Sequence, residues 1–184
     1  MKTQSAFNNI IANIILYGRS ILQIIQSRLS DKKGIEDILN YRYISDNLVT
    51  SGQPTAEELT LISRAGYQTV INLAPPNAAN ALPNEQAIAT NLGMNYINIP
   101  VVWDHPTIED FKKFCDVMES RKDHPIFVHC AMNMRVSTFV YLYRHLIMGV
   151  AASEAYATML TIWKPNATWE QFIENAIATY SINH

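Results

Sequence analysis

Cys130 and Arg135 are five positions apart in Pro125-Ile126-Phe127-Val128-His129-Cys130-Ala131-Met132-Asn133-Met134-Arg135-Val136-Ser137. The apolar run before the cysteine reads as a buried strand and the residues after Arg135 as a helix, so the thiol is delivered to a tight loop. Backbone N–H groups and the positive end of the helix dipole converge on such a loop. Surroundings of that kind, with a guanidinium nearby, lower thiol pKa values from about 8.5 toward roughly 3.5 to 7.5 and so favour the thiolate nucleophile. A tetrahedral oxyanion fits the same cradle, which Ala131, Met132, Asn133 and Met134 would form while Arg135 supplies paired hydrogen bonds. Nucleophile and cradle together point to phosphoryl transfer to sulfur.

His129, directly before the nucleophile at the end of a buried strand, reads as a residue that orders the loop by hydrogen bonding rather than one that transfers protons. The bland alternative for Cys130 and Arg135 is a buried thiol and a surface arginine. Strand before and helix after argue against it.

The segment resembles the signature of the cysteine-dependent protein tyrosine phosphatase superfamily: His-Cys, five residues, Arg, then Ser or Thr. Here only four residues separate Cys130 from Arg135, Asn133 stands where the family commonly has glycine, and Ser137 follows Arg135 by two positions. Asparagine tolerates positive φ, so Asn133 can replace the glycine of a tight loop. The shorter loop is closer in size to that of rhodanese-like sulfurtransferases, and a persulfide carried on Cys130 is the alternative chemistry. A phosphatase-like binding module is a third class.

From Tyr41 to Ile177, about three quarters of the chain, the sequence resembles a bacterial, notably cyanobacterial, branch related to the dual-specificity phosphatases. The marks are Ser51-Gly52-Gln53-Pro54-Thr55, Val70-Ile71-Asn72-Leu73, and Ile99-Pro100-Val101 running into Trp103-Asp104-His105-Pro106-Thr107. The resemblance implies hydrolysis of phosphomonoesters through a cysteinyl-phosphate, without cofactor or metal. It implies a general acid upstream of the cysteine, for which Asp104 is the candidate and Asp110 and His105 are alternatives, and Ser137 as a hydrogen-bond donor to the leaving thiolate. Partners would be a phosphorylated protein or a small phosphorylated molecule.

The elements needed to hold these residues alternate between strand and helix, which predicts an α/β fold with a central, mostly parallel sheet of four to five strands flanked by helices. Tyr41–Ile44 and Leu48–Thr50 read as a hairpin. Thr55 with Glu58 forms a capping box for a helix ending at Gly66. Strand Thr69–Leu73, a proline-rich loop Ala74–Pro83, helix Glu85–Leu92 and strand Tyr96–Val101 follow. Trp103–Pro106 is a loop, and Thr107 with Asp110 opens a helix whose inner face carries Phe111, Cys115 and Met118. Cys115 reads as core. The helix Val136–Met148 is apolar almost all round, and a last helix starts at Thr168 with Gln171 as reciprocal cap.

The chain has 184 residues, enough for one domain with a real core. We expect an amphipathic helix and linker over 1–34 and the catalytic domain over 35–184, the helix interrupted at Gly18 and Arg19. Asn8, Asn9, Asn13 and Arg19 break any membrane-spanning run, so the helix is expected to pack on the domain or to contact a partner or membrane surface. Sixteen acidic against fourteen basic side chains, with no basic stripe, argue against nucleic acid as a partner. Two cysteines, one in the reactive loop, imply no disulfide framework and a reducing, cytoplasmic setting.

Overall fold

Five strands, β1 (Arg42–Ser45), β2 (Leu48–Ser51), β3 (Thr69–Asn72), β4 (Asn95–Asn98) and β5 (Ile126–His129), form one sheet in the order β1-β2-β5-β3-β4. The β1–β2 hairpin is antiparallel and every other pairing is parallel. The computed structural model describes residues 34–181, together with Ile15, Gly18, Arg19, Ile21 and Leu22. Six helices accompany the sheet in this range: α1 (Ala56–Arg64), α2 (Glu85–Asn91), α3 (Ile108–Arg121), α4 (Met134–Leu146), α5 (Ala152–Leu160) and α6 (Ala167–Ser181).

Strand β5 is central, with β2 and β3 alongside it, and all four of its residues are buried. Side chains of a strand alternate between the two faces, and the two cores of the protein follow that period. Val49, Val70 and Phe127 join Ile38, Leu59, Ile62 and Ala89 on the face covered by α1 and α2. Ile126 and Val128 join Phe111, Phe114, Phe139 and Trp169 on the face covered by α3, α4 and α6. Helix α4 carries buried residues at every position from Val136 to Tyr143, which explains why its sequence shows no polar stripe.

Two of the three expected capping boxes form: Thr55 accepts from the Glu58 N–H and Thr107 from the Asp110 N–H. Several boundaries differ. The central helix starts at Met134 rather than Val136, because Asn133 takes the left-handed backbone that ends the loop there. Strand β4 ends at Asn98, two residues before Pro100, which has no N–H for a ladder. The last helix starts at Ala167, since Asn166 Oδ1 accepts the Trp169 N–H at 3.1 Å and so takes the cap expected of Thr168.

Gly18 and Arg19 are themselves helical, as one glycine costs a helix only about 1 kcal/mol. Ile15, Ile21 and Leu22 are more than half exposed. The rest of the expected N-terminal helix and its contacts lies outside the described residues. Among the described residues no helix is long and apolar enough to cross a membrane.

Candidate active site

The alternation of β5 sends its last side chain and the next residue to opposite faces. His129 follows Phe127 toward α1 and α2, its ring 6.2 Å from the phenyl ring, whereas Cys130 belongs to the core beneath α3 and α4. His129 is fully buried and Cys130 is 1% exposed. The cysteine stands at the carboxyl end of the central strand, where open parallel sheets place their ligands.

Five hydrogen bonds fix the loop after Cys130 from outside. The Ala131 carbonyl accepts from the Gln53 N–H at 3.2 Å and from Asn80 Nδ2 at 3.0 Å. A trans peptide carries its N–H opposite its carbonyl, so the Met132 N–H points away from both partners. The Met132 carbonyl accepts from Asn40 Nδ2 at 3.0 Å. Asn133 holds φ 64° and ψ 2°, the left-handed conformation its sequence position suggested, and caps α4. Its buried side chain donates to the Asn40 carbonyl at 2.7 Å and to Thr50 Oγ1 at 2.9 Å. Gly52 is required beside this loop because a Cβ there would lie 2.9 Å from the Leu39 side chain and 3.1 Å from its carbonyl oxygen.

Arg135, one residue into α4, donates from Nε to the Val101 carbonyl at 2.9 Å, and its guanidinium lies 5.2 Å from the centre of the Trp103 ring. Trp103 is fixed in turn: its ring packs against Trp163 and Trp169, and its carbonyl accepts from Trp169 Nε1 at 3.0 Å. Trp103, Cys130, Ala131, Met132, Met134 and Arg135 line one cleft of about 180 Å³. Asp104, exposed, occupies the turn closed by the His105 N–H on the Val102 carbonyl at 3.2 Å, adjacent to the cleft-lining tryptophan.

The family described as "DSP-PTPase phosphatase fused to NAD+ Kinase" matches residues 28–176. The chain belongs to that phosphatase family. A phosphatase-group DUF442 protein from Shewanella putrefaciens superposes with a TM-score of 0.72 at 30% identity, covering 79% of this chain and 96% of that one. The "Beta-lactamase hydrolase-like protein" of Xylella fastidiosa is 30% identical over 109 residues, 58% of this chain. This DSP-PTPase domain spans only 25% of that relative's length. TpbA of P. aeruginosa, solved in complex with pTyr, shares the fold at 18% identity with a TM-score of 0.56, covering 76% of this chain and 81% of that one.

Of the residues expected in the site, the DSP-PTPase domain gathers Cys130, Ala131, Met132, Met134 and Arg135 around the cleft. Asn133 supports it from behind. Ser137 does not line it: its hydroxyl donates to the Met134 carbonyl at 3.0 Å, and it borders a narrow cavity with Arg42 and Arg144 on the other side of α4. Cys115 is buried core, its thiol pushed up to about 12, chiefly by burial, with Tyr180 hydrogen-bonded to it. Among the described residues no group of His, Cys, Asp and Glu is placed to hold a metal ion.

Glu85 was not anticipated. This first residue of α2 is 6% exposed, and donors surround its carboxylate: Gln53 Nε2 at 2.6 Å on Oε1, Asn72 Nδ2 at 2.8 Å and the Tyr96 hydroxyl at 2.9 Å on Oε2. His129 Nε2 lies 3.2 Å from Oε1, within ion-pair distance although off the line of a good hydrogen bond, and Nδ1 has no hydrogen-bond partner. Burial pushes the Glu85 carboxyl up, but His129, Tyr96 and Gln53 together outweigh it and hold the group below its ordinary value. Nothing local in the sequence marks this residue. Its partners come from β3, β4, β5 and the segment just after β2, and the cluster exists only once the strand order is known.

Proposed function

We propose that this chain hydrolyses phosphomonoesters through a cysteinyl-phosphate on Cys130. The observation that carries the reading is the shared cleft, in which the thiol at the end of the central strand, the loop after it and Arg135 surround one volume of about 180 Å³. The Cys130 thiolate attacks phosphorus, forming the S–P bond while the ester P–O bond breaks. Asp104 protonates the departing oxygen. Loop N–H groups and the terminal nitrogens of Arg135 hold the equatorial oxygens, Nε being already bonded to Val101. Water, deprotonated by Asp104, then attacks phosphorus; the S–P bond breaks and inorganic phosphate leaves.

The substrate is a phosphorylated protein or a small phosphorylated molecule. Trp103, Met132 and Met134 give the cleft an apolar rim suited to an aryl phosphate, and TpbA, which shares the fold, has been solved with pTyr.

The reduced protein assayed on an aryl phosphate, with Cys130→Ser beside it and thiosulfate plus cyanide in parallel, tests the proposal. Phosphate release that disappears in the variant supports it. Thiocyanate formation without phosphate release would assign the site to sulfur transfer, and silence in both assays would leave a binding module.

A further inference from the structure

We propose that Glu85 is a positioning residue for Cys130, acting through the two residues that bracket the reactive loop. The inference rests on Cys130 being the nucleophile. On one side Glu85 faces His129, the residue before the cysteine; on the other it accepts from Gln53, whose backbone N–H holds the Ala131 carbonyl directly after the cysteine. One carboxylate therefore ties down both neighbours of the nucleophile.

Chemistry explains why a carboxylate occupies this place. An ionised carboxylate only accepts hydrogen bonds; two side-chain amides and a phenol donate to Glu85, and an imidazole nitrogen lies at ion-pair distance. Opposite an acceptor, a neutral His129 carries its proton on Nε2, and a protonated one meets a counter-charge. The carboxylate thereby favours one tautomer of the ring one residue from the thiol. Asn72 faces His129 in the register of β3 and β5, so the cluster also locks the carboxyl ends of these two strands together. Glutamine at position 85 keeps the shape but places an amide donor among donors and removes the charge.

The test compares wild type, Glu85→Gln and Tyr96→Phe, each confirmed folded by thermal melting, through two readouts. The first is turnover of an aryl phosphate, with orthovanadate inhibition measured alongside. Glu85→Gln is expected to lower kcat about tenfold or more while KM and vanadate affinity stay within about twofold, because the nucleophile is misplaced and the oxyanion cradle is kept. The second is the rate of Cys130 carboxamidomethylation by iodoacetamide, expected to fall about fivefold in Glu85→Gln relative to wild type. This readout needs no hydrolysis, so failure of the phosphatase reading leaves it standing and separates the two claims. Should Glu85→Gln not fold, Tyr96→Phe decides through the same readouts, with an expected loss of about twofold or more in the same direction. Values unchanged from wild type in the folded variant, or equal losses in kcat and vanadate affinity, would overturn the proposal.

Discussion

Asn40 and Asn133 clasp each other across the reactive loop. Both hold left-handed backbones, with φ of 53° and 64°; Asn133 Nδ2 donates to the Asn40 carbonyl at 2.7 Å, and Asn40 Nδ2 donates to the Met132 carbonyl at 3.0 Å. The connection joins the turn before β1 to the loop after β5, 93 positions apart. The loop between Cys130 and Arg135 is thus tied by side chains to the turn before β1.

Replacing Asn133 separates conformation from hydrogen bonding. Asn133→Gly keeps the backbone angle and loses two hydrogen bonds, and is expected to cost about 1 to 2 kcal/mol. Asn133→Ala loses the same bonds and adds left-handed strain, for a total of roughly 2 to 4 kcal/mol. Urea unfolding of both variants checks the order: alanine less stable than glycine.

Asp104→Asn should slow hydrolysis of alkyl phosphates by about 100-fold or more while affecting an activated aryl phosphate far less, because only a poor leaving group needs the proton. Asp104 is exposed, so stability should change by less than about 0.5 kcal/mol. Equal rates of wild type and variant on both substrates would remove Asp104 from the mechanism.

Trp169→Phe deletes the N–H that holds the Trp103 carbonyl. The expected cost is about 1 to 3 kcal/mol from the unpaired buried acceptor and the smaller ring. The Trp103 turn carries Asp104 and packs on Arg135, so kcat should fall with it. Stability by urea titration and kcat on the aryl phosphate, measured together, test the link.

Acid stability follows from the sign of the Glu85 shift. Its folded-state value lies below the ordinary one, so its contribution is fully present above about pH 5 and is lost as pH falls through the folded-state value. Wild type should therefore lose stability faster than Glu85→Gln between about pH 5 and 3, and their urea midpoints should converge on acidification. A gap that is constant across this range would contradict the assignment.

Much of this architecture was legible because it is encoded locally. The Thr55/Glu58 and Thr107/Asp110 boxes are four-residue patterns, and the apolar run Ile126–Val128 is buried throughout. Cys130, Arg135 and the left-handed Asn133 were readable for the same reason. Local pattern also misled: Thr168 and Gln171 match a capping box, yet Asn166 lies nearer the chain's entry from Pro165 and caps first. Ser137 was placed by analogy, and the helical period turns it to the far side of α4. Glu85 could not be found, since its partners lie on three strands and in the segment after a fourth, whose order the sequence does not state.

The most direct test of the central claim is the mass of the peptide containing Cys130 after acid quench of the reduced Asp104→Asn protein mixed with an aryl phosphate. The prediction is one added phosphoryl group on Cys130, absent in Cys130→Ser and lost as phosphate appears once the substrate is exhausted. Phosphate released at the wild-type rate by Cys130→Ser, or turnover with no phosphoryl group ever on this peptide, would contradict it.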